Sequence, residues 1–465
     1  MARTKLKLST YYISMLKLSD INSVHFIGAG GISLSALAKL MLKLGKKVSG
    51  SDICYSQTVM ELNEEGARIW IGNQPRLLSP LPDLAVYSSA VPQYDKELVY
   101  CRLNNVPTME RHEFLALCAK EFECVIAIGG THGKTTACAL TGHIFKCAQK
   151  SFCAHIGGDA LGMGNLYYTG KEYFITEACE YKKSLLSLSP HIAVVLNAEI
   201  DHPDTYADIE EIYAAFDAFL FSDKNRLALA NSDSVYYKQH LQNQNSALLT
   251  FGTSEHSDFI LSDIQEYADG YFSFSLSCRQ SPLLTVKLSI PGIHNIYNAS
   301  AAIAVSYMLN IPPDTIKEAA QSFKGVRRRF EYKGMLKGAD IFHDYAHHPS
   351  EIRAVIDCAK KLCKGRLLVA FQPHTFSRTS ALFDDFATAF NRCDEVYLVR
   401  EYSARENGCQ GKSAYELFKK LHNKNSYYFD DFITLAKHLV DKLSAFDMLV
   451  VMGAGDIVKL CDLLV

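Results

Sequence analysis

No cysteine cluster, no membrane span and no excess of either charge marks this chain. Its 14 cysteines are scattered from Cys54 to Cys461 without a C-x-x-C pair or zinc-type spacing, which suits reduced thiols in a cytosolic protein. No run approaches the roughly 18 apolar residues that a membrane helix needs. Tyr11 to Leu16 is too short for the apolar core of a secretion signal, so a cytoplasmic location is expected. Lys plus Arg number 48 and Asp plus Glu 50, for a formal charge of −2. No overall field therefore draws the molecule to nucleic acid or to a membrane surface. With 48% hydrophobic and 21% charged residues, collagen-like and disordered readings are excluded. Neither composition nor pattern speaks to the oligomeric state.

What the chain does have is length and a recurring pattern. Its 465 residues are enough for about three domains. Three times a short apolar run ends in a glycine cluster: Val24 to Ile27 before Gly28, Cys124 to Ile128 before Gly129, and Met448 to Met452 before Gly453. Each reads as a buried parallel strand with a turn at its carboxyl end. Apolar residues at helical spacing follow the first two, at Leu34, Leu37, Leu40 and Met41, and at Ala137, Leu140, Ile144 and Phe145. Strand, glycine turn and helix form the unit of doubly wound α/β sheets, where ligands bind at the carboxyl ends of the strands. The breaks fall near Glu123 and in Gly325 to Arg329. The predicted domains are thus 1–122, 123–326 and 327–465: an N-terminal Rossmann-like domain, a central P-loop ATPase-like domain with a mainly parallel sheet, and a C-terminal Rossmann-like domain.

The most informative segment is Gly130-Thr131-His132-Gly133-Lys134-Thr135-Thr136, set between an apolar strand and a helix. Glycines let backbone N–H groups approach phosphate oxygens, and the helix N-terminus adds a positive dipole. Lys134 can reach the β and γ phosphates, and the Thr135 hydroxyl can bind Mg²⁺. The full eight-residue pattern would need glycine at position 128, which is Ile128, so the loop is a shortened variant. Two later segments, Phe174 to Glu180 and Ile192 to His202, each place acidic residues after a short apolar run. They could bring oxygen ligands to the same sheet edge for phosphoryl transfer. The first cluster, Gly28-Ala29-Gly30-Gly31-Ile32-Ser33 with Asp52 ending the next strand, is a diphosphate turn in which Ser33 replaces the third glycine of the dinucleotide fingerprint. On these residues alone, a UDP-sugar site and an NAD site both remain open.

Taken in order, these segments resemble the Mur ligase family over nearly the whole chain. The resemblance adds Glu199-Ile200-Asp201-His202, Pro291 to Asn298, Arg328-Arg329-Phe330-Glu331, Asp344 to Pro349, Phe371 to His374 with Arg378, and Met452 to Asp456. It implies a ligase that uses ATP and Mg²⁺ to join L-alanine to UDP-N-acetylmuramate through an acyl phosphate. By resemblance, Lys134 and the loop amides stabilise the transferring phosphoryl group; Thr135 and Glu177 hold one Mg²⁺, and Glu177 with His202 a second. His294, Asn295 and Asn298 surround adenine, Asp344 meets the ribose, and Arg329 closes on the phosphates. The turn Gly28 to Ser33, with Asp52 and Ser89, takes the UDP-sugar. His347, His348, His374 and Arg378 line the amino-acid side, where Arg378 receives the alanine carboxylate and one histidine takes a proton from the amine. The sequence departs from the family's commoner acidic motif at Cys179 and Lys182, where aspartates are usual, and has Thr375 where arginine is frequent. The resemblance further implies a third domain that swings to close, hence an open form without ligands. The competing functions are a ligase of the same family that recycles a ready-made tripeptide, an NAD-dependent oxidoreductase, and a non-catalytic nucleotide-binding protein.

Overall fold

Each apolar run that meets glycine is a buried strand in the computed structural model, which describes residues 16–201, 205–242, 248–268, 270–404, 406 and 411–465. The first sheet is all parallel, in the order Arg68–Ile71, Lys47–Asp52, Ser23–Ile27, Leu84–Tyr87, Thr108–Glu110. This 3-2-1-4-5 order reverses direction at Ser23–Ile27, the place where such sheets open a crevice at their carboxyl edge. The glycine turn leaves that strand and enters the helix Ile32–Lys43, whose Leu34, Leu37, Leu40 and Met41 are buried against the sheet.

The second sheet has ten strands. Cys124–Gly129 lies near its centre between Ile192–Val195 and Tyr173–Ala178, and both pairings are parallel. Antiparallel pairs occur only towards the edges, where Phe272–Cys278 and Ser281–Lys287 extend one side and Gly164–Tyr168 ends the other. The helix Lys134–Cys147 follows the phosphate loop with ten buried residues and packs on His294–Met308, a helix built from small residues between Ala299 and Ala304. Small side chains let the two helices approach, which carries Asn298 up to the loop.

The third sheet runs Glu331–Leu336, Ala339–Asp344, Met448–Met452, Leu367–Phe371, Glu395–Val399, Ser426–Phe429, parallel except for its first pair. Three α/β units with mainly parallel sheets are therefore present, as the fold class predicted. Glu177 differs slightly from expectation: it lies inside the strand Tyr173–Ala178 rather than just after it. The cysteines among the described residues are free thiols. No described helix is long and apolar enough to cross a membrane.

Candidate functional site

The phosphate loop takes its shape from two glycines and one asparagine. Gly130 and Gly133 have φ of +137° and +84°, conformations that side chains other than glycine rarely adopt. At Gly133 a Cβ would stand 2.2 Å from Asn298 Oδ1, so the position also lacks space. Asn197, just beyond the strand Ile192–Val195, clamps the loop. Its Oδ1 accepts from the His132 amide at 2.8 Å, its Nδ2 donates to the His132 carbonyl at 3.1 Å, and its carbonyl accepts from the Thr131 amide. The Thr131 hydroxyl donates to the Glu199 carbonyl and accepts from the Glu199 amide at 2.9 Å. Thr136 is buried at the loop's helical end.

Lys134 folds back over this loop. Its ammonium donates to the Gly130 and Thr131 carbonyls and lies 2.9 Å from Glu180 Oε2. Burial works against the charge, but the Glu180 carboxylate outweighs it and holds the lysine above its ordinary value. Lys134 is thus fully cationic beside the place where phosphates would lie.

Thr135 and Glu177 meet the strand Phe152–Ala160 at two glycines. The Gly157 amide donates to Glu177 Oε1 at 2.6 Å, and a Cβ at Gly157 would come within 2.6 Å of the same oxygen. A Cβ at Gly158 would stand 2.9 Å from Thr135 Cγ2. The Thr135 methyl and the Glu177 carboxylate therefore pack where no larger residue than glycine fits, and the Thr135 hydroxyl and Glu177 carboxylate are the hard oxygens that Mg²⁺ takes. The donor set fits the ion. His202, the third expected ligand, lies outside the described residues.

A cavity of about 290 Å³ runs from the loop towards the third sheet, lined by His132, Gly133, Thr136, Glu199, His294, Asn295, Asn298, Arg329, Asp344 and Glu351 among others. Asn298 donates to Asn295 Oδ1, and Asn295 to the Pro291 carbonyl. Burial pushes the His294 imidazole down to about 4, and Arg329 adds to the effect. The Asp344 carboxylate accepts from the Phe330 and Ala346 amides, both at 2.7 Å. Its burial raises it to about 6 although Arg329 opposes the shift.

The third unit is closed onto the central one, where an open arrangement was expected. Arg378 makes the buried ion pair across the seam. Its Nε and Nη2 both lie 2.8 Å from Asp201 Oδ1, with both side chains almost fully buried. The arginine expected to receive a substrate carboxylate thus engages one supplied by the protein, while its Nη1 donates to His374 Nδ1 at 3.2 Å. His374 lies 6.0 Å from His347, ring to ring.

Glu351, which no sequence motif marks, organises the seam. One oxygen lies 3.0 Å from His132 Nδ1 and 3.8 Å from Arg329; the other accepts from the His347 amide at 3.2 Å. Its only sequence signal is an acidic residue in the first turn of a helix that opens at Pro349. Burial opposes the charge on His132, but Glu351 and Glu199 carry it up to about 9. His347 goes the other way: burial lowers it to about 4 despite Glu351. His348 is also lowered by burial, and its Nε2 donates to the Ile200 carbonyl at 3.1 Å.

The first-unit residues are not in this cavity. The Gly28 and Ala29 amides donate to the Ser51 carbonyl, Gly31 to Gly28, and Gly30 to Asp52 Oδ2 at 2.8 Å. Asp52 also accepts from Ile53, so it braces the turn. The anion-facing part is then the N-terminus of the helix beginning at Ile32. Ser89 is half-buried in the loop beyond Leu84–Tyr87. Ser33 reaches across the boundary to His155 Nε2 at 2.9 Å, and His155 Nδ1 continues to Thr176, the neighbour of Glu177. Arg111 donates to Ser33 at 3.4 Å. Neither His155 nor Arg111 carries a motif that sequence reading recognises.

Three family descriptions match this chain in order: the Mur ligase family catalytic domain over residues 23–123, the Mur ligase middle domain over 128–306, and the Mur ligase glutamate ligase domain over 328–455. The chain belongs to the Mur ligase family. A UDP-N-acetylmuramate–L-alanine ligase of Clostridium acetobutylicum is 38% identical over 455 residues, covering 96% of this chain and 98% of that one. The crystal structure of the UDP-N-acetylmuramate–alanine ligase of Thermotoga maritima superposes with a TM-score of 0.79 at 27% identity, covering 95% of this Mur ligase and 97% of that chain. A murein peptide ligase of Psychrobacter arcticus shares the fold at 23% identity and a TM-score of 0.71, over 94% and 97% of the two chains.

Proposed function

We propose that this Mur ligase joins L-alanine to the lactyl carboxylate of UDP-N-acetylmuramate, driven by cleavage of ATP to ADP and phosphate. The observation that carries the reading is the convergence of three parts: a phosphate loop, a glycine turn linked through Ser33 and His155 to the strand that carries Glu177, and a histidine-rich third-unit edge closed over the loop. Near full-length similarity to ligases of that name supports the choice of substrates. A carboxylate is a poor acylating agent at neutral pH. Its mixed anhydride with phosphate has a good leaving group.

In this scheme a carboxylate oxygen attacks the γ phosphorus and ADP leaves. The alanine nitrogen then attacks the acyl carbon, the C–O bond to phosphate breaks, and the amine gives up a proton. Lys134, Arg329 and the loop amides supply positive charge around the transferring group. Mg²⁺, held by Thr135 and Glu177 with His202, would screen phosphate charge when bound. Asn295, Asn298 and His294 take the adenine, and Asp344 the ribose. The turn at Gly28 to Ser33, with Asp52 behind it and Ser89 beside it, takes the UDP-sugar. His374 and Arg378 form the alanine side.

His347 is the better base for the amine proton. Its Nδ1 lies 3.0 Å from the Tyr345 carbonyl, which can only accept, so that nitrogen carries the hydrogen and Nε2 keeps its lone pair. Burial keeps the ring neutral at physiological pH. His348, by contrast, spends its Nε2 hydrogen on Ile200 and shapes the seam.

Phosphate release measured with ATP, Mg²⁺ and UDP-N-acetylmuramate, with and without L-alanine, tests the reading. Release that needs L-alanine is expected. Release that needs a tripeptide instead would assign the chain to peptide recycling, and nicotinamide turnover without ATP use would overturn ligation altogether.

A further inference from the structure

We propose that the seam between the phosphate loop and the third unit is a binding site for a zinc-like divalent cation, held by His132, His348 and Glu199 and completed by the Ser350 hydroxyl. One donor atom from each of the first three residues lies within 4.8 Å of the others. His132 Nε2 is 3.5 Å from Glu199 Oε2, close to the ligand–ligand edge of about 3.3 Å in a tetrahedron with the usual zinc bond lengths. The Ser350 hydroxyl stands between the rings, 3.0 Å from His132 Nε2 and 2.8 Å from His348 Nδ1.

The far side of each imidazole is already fixed. His132 Nδ1 faces Glu351 Oε1 at 3.0 Å, and His348 Nε2 faces the Ile200 carbonyl at 3.1 Å. Because that carbonyl only accepts, the His348 hydrogen is on Nε2 and its lone pair on Nδ1, where it now caps the helix by accepting from the Ser350 amide at 3.3 Å and would turn to the ion on binding. A carboxylate or carbonyl on the outer nitrogen is the arrangement that orients metal-binding histidines and raises their basicity. Two imidazoles and one carboxylate suit zinc or cobalt, whereas Mg²⁺ takes oxygen donors. The site is therefore distinct from the Thr135 and Glu177 cradle, although His132, Glu199 and Ser350 also line the cavity described above. His132 and Glu199 belong to the central unit, His348 and Ser350 to the third. A bound ion would displace the Nε2 proton that the two carboxylates otherwise hold on His132, staple the two units in the closed arrangement and slow any cycle that needs opening. The proposal stands apart from the choice of substrates.

The test titrates Co²⁺ into the full-length chain in excess Mg²⁺ and follows its absorption. One equivalent should give the strong visible bands of a four- or five-coordinate ion, displaced by Zn²⁺, with no near-ultraviolet thiolate band. That band would report the competing soft site at exposed Cys147, whose sulfur is 3.7 Å from His143. Glu199→Gln and His348→Gln should each weaken cobalt binding at least tenfold, with circular dichroism confirming the fold. Glu199→Gln keeps the side-chain shape, so it decides the matter if the histidine variant does not fold. Weak six-coordinate absorption, a thiolate band, or unchanged affinity in a folded Glu199→Gln protein would each overturn the proposal.

Discussion

Lys134 and His132 are two residues apart in the same loop and hold their charges for different reasons. Lys134 is held cationic by Glu180 within the central unit. Lys134→Ala should cut turnover about a hundredfold or more, the scale of losing one charge-stabilising group. Affinity for the UDP-sugar should stay unchanged, because that ligand uses the other glycine turn; isothermal titration measures both parts. A mutant at wild-type turnover would remove the loop from the mechanism. His132 takes its charge from Glu351 across the seam and from Glu199 within its own unit. Its folded pKa of about 9 lies above the ordinary 6.5. The resulting stability is thus complete below pH 6.5 and is lost as pH rises through 9. Melting temperature followed across that window in chelator-treated protein should fall for the native chain, and His132→Asn should flatten this part of the profile. Superimposable profiles would show that the imidazolium contributes nothing.

At the level of elements, the geometry of each site part depends on small residues of a neighbouring segment. The strand Phe152–Ala160 reaches the magnesium cradle with two glycines, and the small-residue helix His294–Met308 brings Asn298 to the loop. Gly157→Ala should leave the fold intact, since its backbone is not left-handed, but should displace Glu177 by crowding its Oε1. The Mg²⁺ concentration giving half-maximal activity should rise by about tenfold, within the range seen when groups supporting a metal ligand are disturbed. An unchanged Mg²⁺ response would mean that Glu177 is not a ligand. The same strand carries His155, so the element that shapes the cradle also receives the link from the UDP-sugar turn.

Across the whole molecule, closure combines one buried ion pair, a set of histidine contacts and the more exposed pairs Lys361–Glu266 and Arg327–Asp159. Removing one partner of such a pair leaves the other charge buried and costs about 3–5 kcal/mol. Asp201→Asn should therefore shift the third unit away from the central one, seen as a larger radius of gyration in small-angle scattering. Addition of an ATP analogue with the UDP-sugar should restore compaction. Identical scattering from the variant and the native chain would show that Arg378 and Asp201 do not hold the closed form.

The sequence alone determined the strands, the α/β class and the two glycine turns, because each depends on neighbours within a few residues. An apolar run ending in glycine before a helical repeat admits few other folds. It also named Lys134, Glu177, Asn298, Arg329 and the paired histidines, whose motifs are short and contiguous. Only the tertiary structure decided that Asp52 braces its own turn, that Arg378 engages Asp201, and that Glu351 joins His132 to Arg329. Those contacts span tens to hundreds of residues along the chain, where no local pattern records which side chains will meet. Burial, which lowers His347, and the Glu351 and Glu199 carboxylates, which raise His132 in spite of burial, act only once the separate sheets have packed together.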